Sequence, residues 1–204
     1  QERRAGVPGT VGGDAAIQQP WRLAVALSFD AFDGRVPSSV LSRFVGLLPA
    51  EVDGVQQMLR HQFRTPLAHG AGRYFDGVGA LVLGRLRSRF EGQVALAWNG
   101  VADPREEARY GFAIDQTTAP WTIDLRPMIR GVVGDLEADV PAAIISARFH
   151  NTLCEATAHT IASAALKISI ASSGTTWIRL AAARGNTSAP MPKNPPRTFR
   201  RGAR

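Results

Sequence analysis

The stretch GAGRYFDGVGALV (Gly70–Val82), followed by FEGQVALA (Phe90–Ala97), decides how this chain is read. Phe75, Val78 and Val82 fall at helical spacing and define one apolar face. Yet Gly77 and Gly79 stand inside that helix, each costing roughly 1 kcal/mol against alanine. Glycine there implies a close approach to the backbone, by a neighbouring helix or by a ligand. The second segment reads as the start of another helix, where Glu91-Gly92-Gln93 offer free N–H groups and a positive dipole end. Asp76 reads as a partner for ribose or adenine if its helix borders a cleft, and Gly92 would let a ligand reach the backbone. Plain helix packing around glycines is the alternative.

Working outward, 204 residues, 45% of them hydrophobic and 20% charged, suffice for one globular core or a compact two-lobed one. No apolar run reaches the roughly 18 residues of a membrane helix, and QERRAGVPGTVGG has no apolar signal region. The lack of an initiator Met fits a chain that begins inside a longer one. A lone Cys154 excludes an internal disulfide and fits a cytoplasmic setting. The net charge of +7 is uneven. Residues 161–204 hold eight basic residues and no acid, whereas residues 1–160 hold sixteen basic against seventeen acidic ones. That change reads as a solvated basic tail, a nucleic-acid arm, or a chain that departs from its ancestral pattern.

Along the chain, Gly12-Gly13-Asp14 reads as a loop with Asp14 as helix N-cap. PWRLAVALSFDAF follows as a helix with Leu23, Leu27 and Ala31 on one stripe, and Gly34–Ser39 as a turn. Pro49 opens a helix with Val52, Val55, Met58, Leu59 and Phe63 inward. Tyr110, Phe112, Ile114 and then Trp121, Ile123, Leu125 alternate as two strands of a hairpin joined by DQTTAP. A helix near Pro127 carries Met128, Val132 and Leu136 inward. The longest helix is expected from Asp139 as N-cap, through Ile144, Ile145, Phe149, Leu153 and Ala156, to about Ala165. Ile168–Ala171 reads as a short strand, Ser172-Ser173-Gly174 as a turn and WIRLAAAR as a short helix. Residues 185–204 read as a disordered basic tail rich in Pro and Arg, leaving 1–184 as the folded part.

The residues that could carry chemistry are few. His61, His69, His150 and His159 form no pair at metal-ligand spacing, so no metal ligand is assigned. His150 reads as a partly buried core histidine and Cys154 as a small core residue. No nucleophile elbow, P-loop or CxxC is present.

Four segments say more by their identity than by their spacing: GGDAAIQQPWRLA (Gly12–Ala24), GAGRYFDGVGAL (Gly70–Leu81), FEGQVA (Phe90–Ala95) and IISARFHNTL (Ile144–Leu153). Together they resemble the HypF-type carbamoyltransferases of hydrogenase maturation, over roughly residues 5–160. The resemblance implies a helix-predominant α/β fold: the C-terminal half of a carbamoyl-transfer domain, similar to the tRNA threonylcarbamoyladenosine synthase subunit and actin-like ATPases, with a short β-hairpin. It implies ATP with magnesium and carbamoyl phosphate as small molecules, carbamoyl adenylate as intermediate, and a HypE-type maturation partner whose C-terminal cysteine accepts the carbamoyl group. Nucleic acid and membrane are not among the implied partners. The positions that match the nucleoside site are Gly72, Arg73, Asp76, Gly92, Gln93, Ser173 and Gly174, with Gly77 helping two helices close around the nucleotide. No catalytic residue is assigned.

The departures are specific. The family's histidine cluster precedes the segment matching Gly12, and its later metal-ligating Asp-Gly-Gly segment has no counterpart. Ile178 stands where the resemblance puts a base-contacting asparagine. The expectation is therefore a fragment, inactive alone, with a remnant left by a frame shift or a decayed gene end as one origin. The rival is a non-catalytic scaffold that binds an acidic partner or nucleic acid through the basic tail.

Overall fold

Between Trp21 and Ala31 only Arg22 and Asp30 carry charge. A helix apolar on nearly every side must be covered on every side, and the fold is built to do that. The computed structural model describes residues 11–13, 15–67, 70–117 and 120–183, with side chains to residue 167. In order the elements are α1 (Ala15–Gln18), α2 (Trp21–Ala31), α3 (Ser38–Leu41), α4 (Pro49–Arg60), α5 (Gly72–Leu83), α6 (Gln93–Gly100), β1 (Ala113–Asp115), β2 (Thr122–Asp124), α7 (Arg126–Glu137) and α8 (Ala142–Ala183). By internal contacts the chain divides into two units, residues 1–160 and 161–204. All the packing described below lies within residues 1–160.

Helix α2 is the hub, touched by α1, α3, α4, α5 and α7. Its buried set is Trp21, Leu23, Ala24, Val25, Ala26, Leu27, Ser28 and Ala31, wider than the single stripe expected. Helix α5 lies between α2 and α6, burying Val78, Leu81 and Val82. Helix α4 buries Val52, Val55 and Leu59, but Phe63, expected inward, lies past the helix end and is 60% exposed. Its start is held by Glu51, whose carboxylate accepts the Leu48 N–H at 3.1 Å. Helix α7 buries Met128, Ile129, Val132 and Val133. The hairpin is antiparallel with Ile114 opposite Ile123, and shorter than the alternation suggests, because Leu125 already serves as N-cap of α7.

The chain ends several helices with one device. After α7, Asp139 adopts φ 54°, its N–H reaches Leu136 O at 3.2 Å, and the Val140 N–H reaches Asp135 O at 2.9 Å. That is a Schellman arrangement with Asp139 at the left-handed position. Asp33, Gln62 and Gly84 hold the same place after α2, α4 and α5. The expectation that Asp139 caps the start of α8 is thus corrected: it closes α7, and the first turn of α8 begins on Pro141, whose carbonyl accepts from Ile144 and Ile145. A non-glycine residue in this conformation carries a steric cost. Asp139→Gly is therefore expected to raise stability by about 0.5–1 kcal/mol, read as a higher denaturation midpoint. A loss would show that the Asp139 side chain offsets its backbone cost.

Helix α8 buries Ile145, Ser146, Ala147, Phe149, Thr152 and Ala156, close to the stripe expected. Cys154 lies off that stripe and is exposed, so it is not a core residue. The same helix ties down the segment before the hairpin. Asn151 Nδ2 donates to Glu106 O and Ala108 O, and the Tyr110 N–H donates to Thr152 Oγ1 at 2.8 Å. Arg148 pairs with Asp135 at 2.9 Å and Glu106 at 3.3 Å, while Arg109 pairs with Glu155. Tyr110 donates to Asp135 at 2.6 Å, and its ring lies where Gly131 leaves room: a Cβ there would sit 2.5 Å from Tyr110 Cδ1.

The largest departure from the expected elements is at residues 168–183. The strand at Ile168–Ala171, the turn at Ser172–Gly174 and the separate short helix are all replaced by continuous helix. β-Branched residues cost a helix only a few tenths of a kcal/mol each. A lone strand, by contrast, leaves its backbone groups without partners. The expected N-cap Asp14, His69, two residues of the hairpin loop (118 and 119) and the tail 185–204 lie outside the described residues. No described helix is long and apolar enough to cross a membrane.

Candidate nucleotide site

The glycines of α5 and of the turn into α6 separate into two kinds. A Cβ on Gly77 would meet Leu27 Cδ1 at 2.5 Å and the Leu23 backbone carbon at 3.2 Å. One on Gly79 would meet Val94 Cγ1 at 2.8 Å and Trp98 Cβ at 3.0 Å. These two residues therefore let α2 and α6 close on opposite sides of α5, and the role expected for Gly77 beside a ligand is corrected to helix packing. Gly72 and Gly92 differ: among the described residues nothing lies within 4 Å of a Cβ at either. Gly72 opens α5 on free space. Gly92 adopts φ 80° as N-cap of α6, a conformation that favours glycine whatever the room.

Between these open glycines stands Arg73. Its Nη1 lies 3.6 Å from Asp76 Oδ2 and its Nη2 lies 3.3 Å from Glu91 Oε1. One guanidinium thus draws the first turn of α5 to the turn that enters α6. The polar capacity there is only partly used. Arg73 Nη1 is buried without a hydrogen-bond partner among the described residues. Asp76, 16% exposed, has its carboxyl pushed above the usual range by burial, with Arg73 opposing the shift and Glu91 adding to it. Gln93, by contrast, faces back onto its own loop, where its Oε1 accepts the Arg89 N–H at 2.7 Å.

An aromatic cluster joins α5, α6 and α8. The Phe75 ring meets Phe149 edge-on at 5.0 Å and His150 at 5.4 Å, and Phe149 meets Trp98 at 5.9 Å. His150 Nδ1 is 2.7 Å from Ser146 O, and Ser146 Oγ donates to Trp98 O at 2.7 Å. His150 Nε2 and Trp98 Nε1 are buried without partners among the described residues. Phe75, Trp98, Phe149 and His150 were not separable in sequence from ordinary core. Only their convergence in one cluster, with Phe75 adjoining Asp76 in sequence, marks them.

Of the seven positions expected around a nucleoside, the structure brings Arg73, Asp76 and the Glu91–Gly92–Gln93 turn together, with Gly72 preceding Arg73. Ser173 and Gly174, like Ile178, fall in the helical span whose side chains are outside the described residues. Among the described residues no three His, Cys, Asp or Glu side chains gather as metal ligands. His61 and His159 are exposed, and His159 lies 3.7 Å from Glu155.

Residues 7–177 match the family described as the carbamoyltransferase Kae1-like domain, second subdomain. The carbamoyltransferase HypF of Synechocystis sp. is 24% identical over 156 residues, covering 70% of this chain and 20% of that protein. Carbamoyltransferase HypF2 of Cupriavidus necator is 28% identical over 176 residues, covering 71% of this chain and 20% of its own length. A crystal structure of full-length HypF in the phosphate- and nucleotide-bound form superposes with a TM-score of 0.64 at 26% identity, over 79% of this chain and 24% of that one. The chain spans about a fifth of the length of the curated relatives it matches.

Proposed function

Because the chain belongs to the family of the carbamoyltransferase Kae1-like domain, second subdomain, we propose that its α5–α6 corner is one wall of a nucleotide cleft in a hydrogenase-maturation carbamoyltransferase. The observation that carries this reading is Arg73, which joins Asp76 to the Glu91–Gly92 turn and keeps one buried nitrogen without a hydrogen bond among the described residues. The solved relative in nucleotide-bound form supports the class of ligand.

The residues present fit a nucleoside. The Asp76 carboxylate would accept from ribose hydroxyls or the base, and the backbone beside Gly92 would donate to an acceptor on the ligand. Arg73 holds both in place and contributes positive charge next to them. ATP would supply the adenylyl group on which the carbamoyl group is activated. No donor set for magnesium stands among the described residues, and no step is derived through it. In the reaction the resemblance implies, carbamoyl phosphate provides the carbamoyl group and a partner's C-terminal cysteine receives it. This chain would contribute nucleoside binding and orientation, which in a positioned pair of reactants account for much of the rate.

The 204-residue chain is expected to bind adenine nucleotide without turning it over. Binding is measured by calorimetry with AMP and ATP. Turnover is measured as carbamoyl-phosphate-dependent release of pyrophosphate. Asp76→Asn removes the charged acceptor and is expected to weaken binding roughly 10–100-fold, the range for a hydrogen bond to a charged group. The fold should behave oppositely. A carboxyl whose folded-state pKa is raised stabilises the fold below the ordinary carboxylate range. That contribution disappears as pH rises through the folded value. At neutral pH the charged Asp76 therefore opposes folding, and Asp76→Asn should melt no lower than the parent at pH 7, with the advantage shrinking towards pH 4. Unchanged nucleotide affinity in this variant would remove the reading.

A further inference from the structure

Between α5 and α6 the chain runs Arg85-Leu86-Arg87-Ser88-Arg89-Phe90 without regular secondary structure, bending at Arg89 and Phe90. Exposure alternates along it: Arg85, Arg87 and Arg89 are exposed, Leu86 and Ser88 half-buried. The backbone is pinned at three points. The Arg85 N–H donates to Ala80 O at 2.9 Å, the Ser88 N–H to Gln18 O at 2.9 Å and the Arg89 N–H to Gln93 Oε1 at 2.7 Å. None of the three guanidiniums pairs with a described acid, whereas Arg73, Arg105, Arg109, Arg126 and Arg148 all do. The comb ends on Phe90, 57% exposed, with Leu96, 70% exposed, on the helix that follows.

We propose that this segment is a binding edge for single-stranded nucleic acid, with Arg85, Arg87 and Arg89 on successive phosphodiesters and Phe90 as a platform for one base. Two features favour that partner over an acidic peptide. The cations are held on anchored backbone rather than on a loose chain. An exposed aromatic ring adjoins them, which a base can stack on and a carboxylate cannot use. The proposal is independent of the nucleotide cleft, since it uses neither Arg73 nor Asp76.

The test is fluorescence anisotropy of the full chain with a labelled oligothymidylate of about twelve nucleotides across a salt series. The basic C-terminal stretch contributes its own binding, so the comparison is between full-length variants. Replacing all three arginines by glutamine should lower the slope of log affinity against log salt by about 2, at about 0.7 per phosphate contact for single strands. Phe90→Ala should weaken binding at least about fivefold at an unchanged slope. Both variants alter exposed side chains and should keep the parent's melting point and nucleotide affinity, while Asp76→Asn should leave oligonucleotide binding intact. A triple variant with the parent's slope would overturn the proposal. So would oligoglutamate of equal charge that displaces the strand equally well and loses its own binding in the triple variant, since that describes a general polyanion surface.

Discussion

Gly79→Val is expected to destabilise the chain by at least about 3 kcal/mol. The size follows from where the new atoms would go. Even a single Cβ at this position would lie 2.8 Å from Val94 Cγ1 and 3.0 Å from Trp98 Cβ. Neither is the far end of a flexible side chain: Val94 is β-branched and stiff, and Trp98 is 0% exposed. Helix α5 cannot retreat, because Gly77 on its other side is filled by Leu27 and the Leu23 backbone. Gly79→Ala should show the same sign more mildly, since the gain in helix propensity of about 1 kcal/mol offsets part of the clash. Gly54 in α4 serves as the control. It is helical with nothing within 4 Å of an added Cβ among the described residues, so Gly54→Ala should stabilise by about 0.5–1 kcal/mol. Denaturant titration of the three variants decides. If Gly79→Ala stabilised as Gly54→Ala does, the helices would not be in contact through that glycine.

Phe149→Ala is expected to cost about 3–5 kcal/mol, the range for emptying a fully buried aromatic site. The ring stands between Phe75 of α5 and Trp98 of α6, in edge contact with both. Those helices supply the two halves of the proposed nucleotide wall, and Phe75 adjoins Asp76. The variant should therefore lose nucleotide affinity even under conditions where circular dichroism shows it folded. Phe149→Leu refills most of the volume and should recover most of the stability. It should recover less of the affinity, because the leucine cannot restore the edge-on contacts. Equal recovery of both would mean that Phe149 acts on the site only through overall stability.

Much of the fold was legible in local pattern. Pro49 and Pro127 with their apolar spacing place α4 and α7, and the alternation through Ile114 and Ile123 places the hairpin. The helix running on through 168–183 was not legible. The β-branched Ile168 and Ile170 suggest a strand, and the choice turns on whether a partner strand exists. Cys154 is the same lesson at one residue: apolar character did not say which side of α8 it would take. Asp139 looked like a cap for the helix after it because Asp is common there. Its actual place depends on how α7 terminates, which involves backbone geometry that composition does not encode.

At the site the division is sharper. The sequence by itself determined helices α2, α4, α5, α6 and α7, the order of the four segments that place the chain in its family, and the presence of glycines too costly to be accidental. It could not sort those glycines. Gly77 and Gly79 are interchangeable in sequence with Gly72 and Gly92, and only the tertiary structure shows that the first pair touches helices and the second borders open space. It likewise could not say that Arg73 would join Asp76 to Glu91, or that Arg85, Arg87 and Arg89 would stay without acidic partners among the described residues. Helix propensity and apolar period act over a few residues and can be read along the chain. Close approach, burial and charge pairing depend on what packing brings from residues far away, and they exist only once the helices have docked.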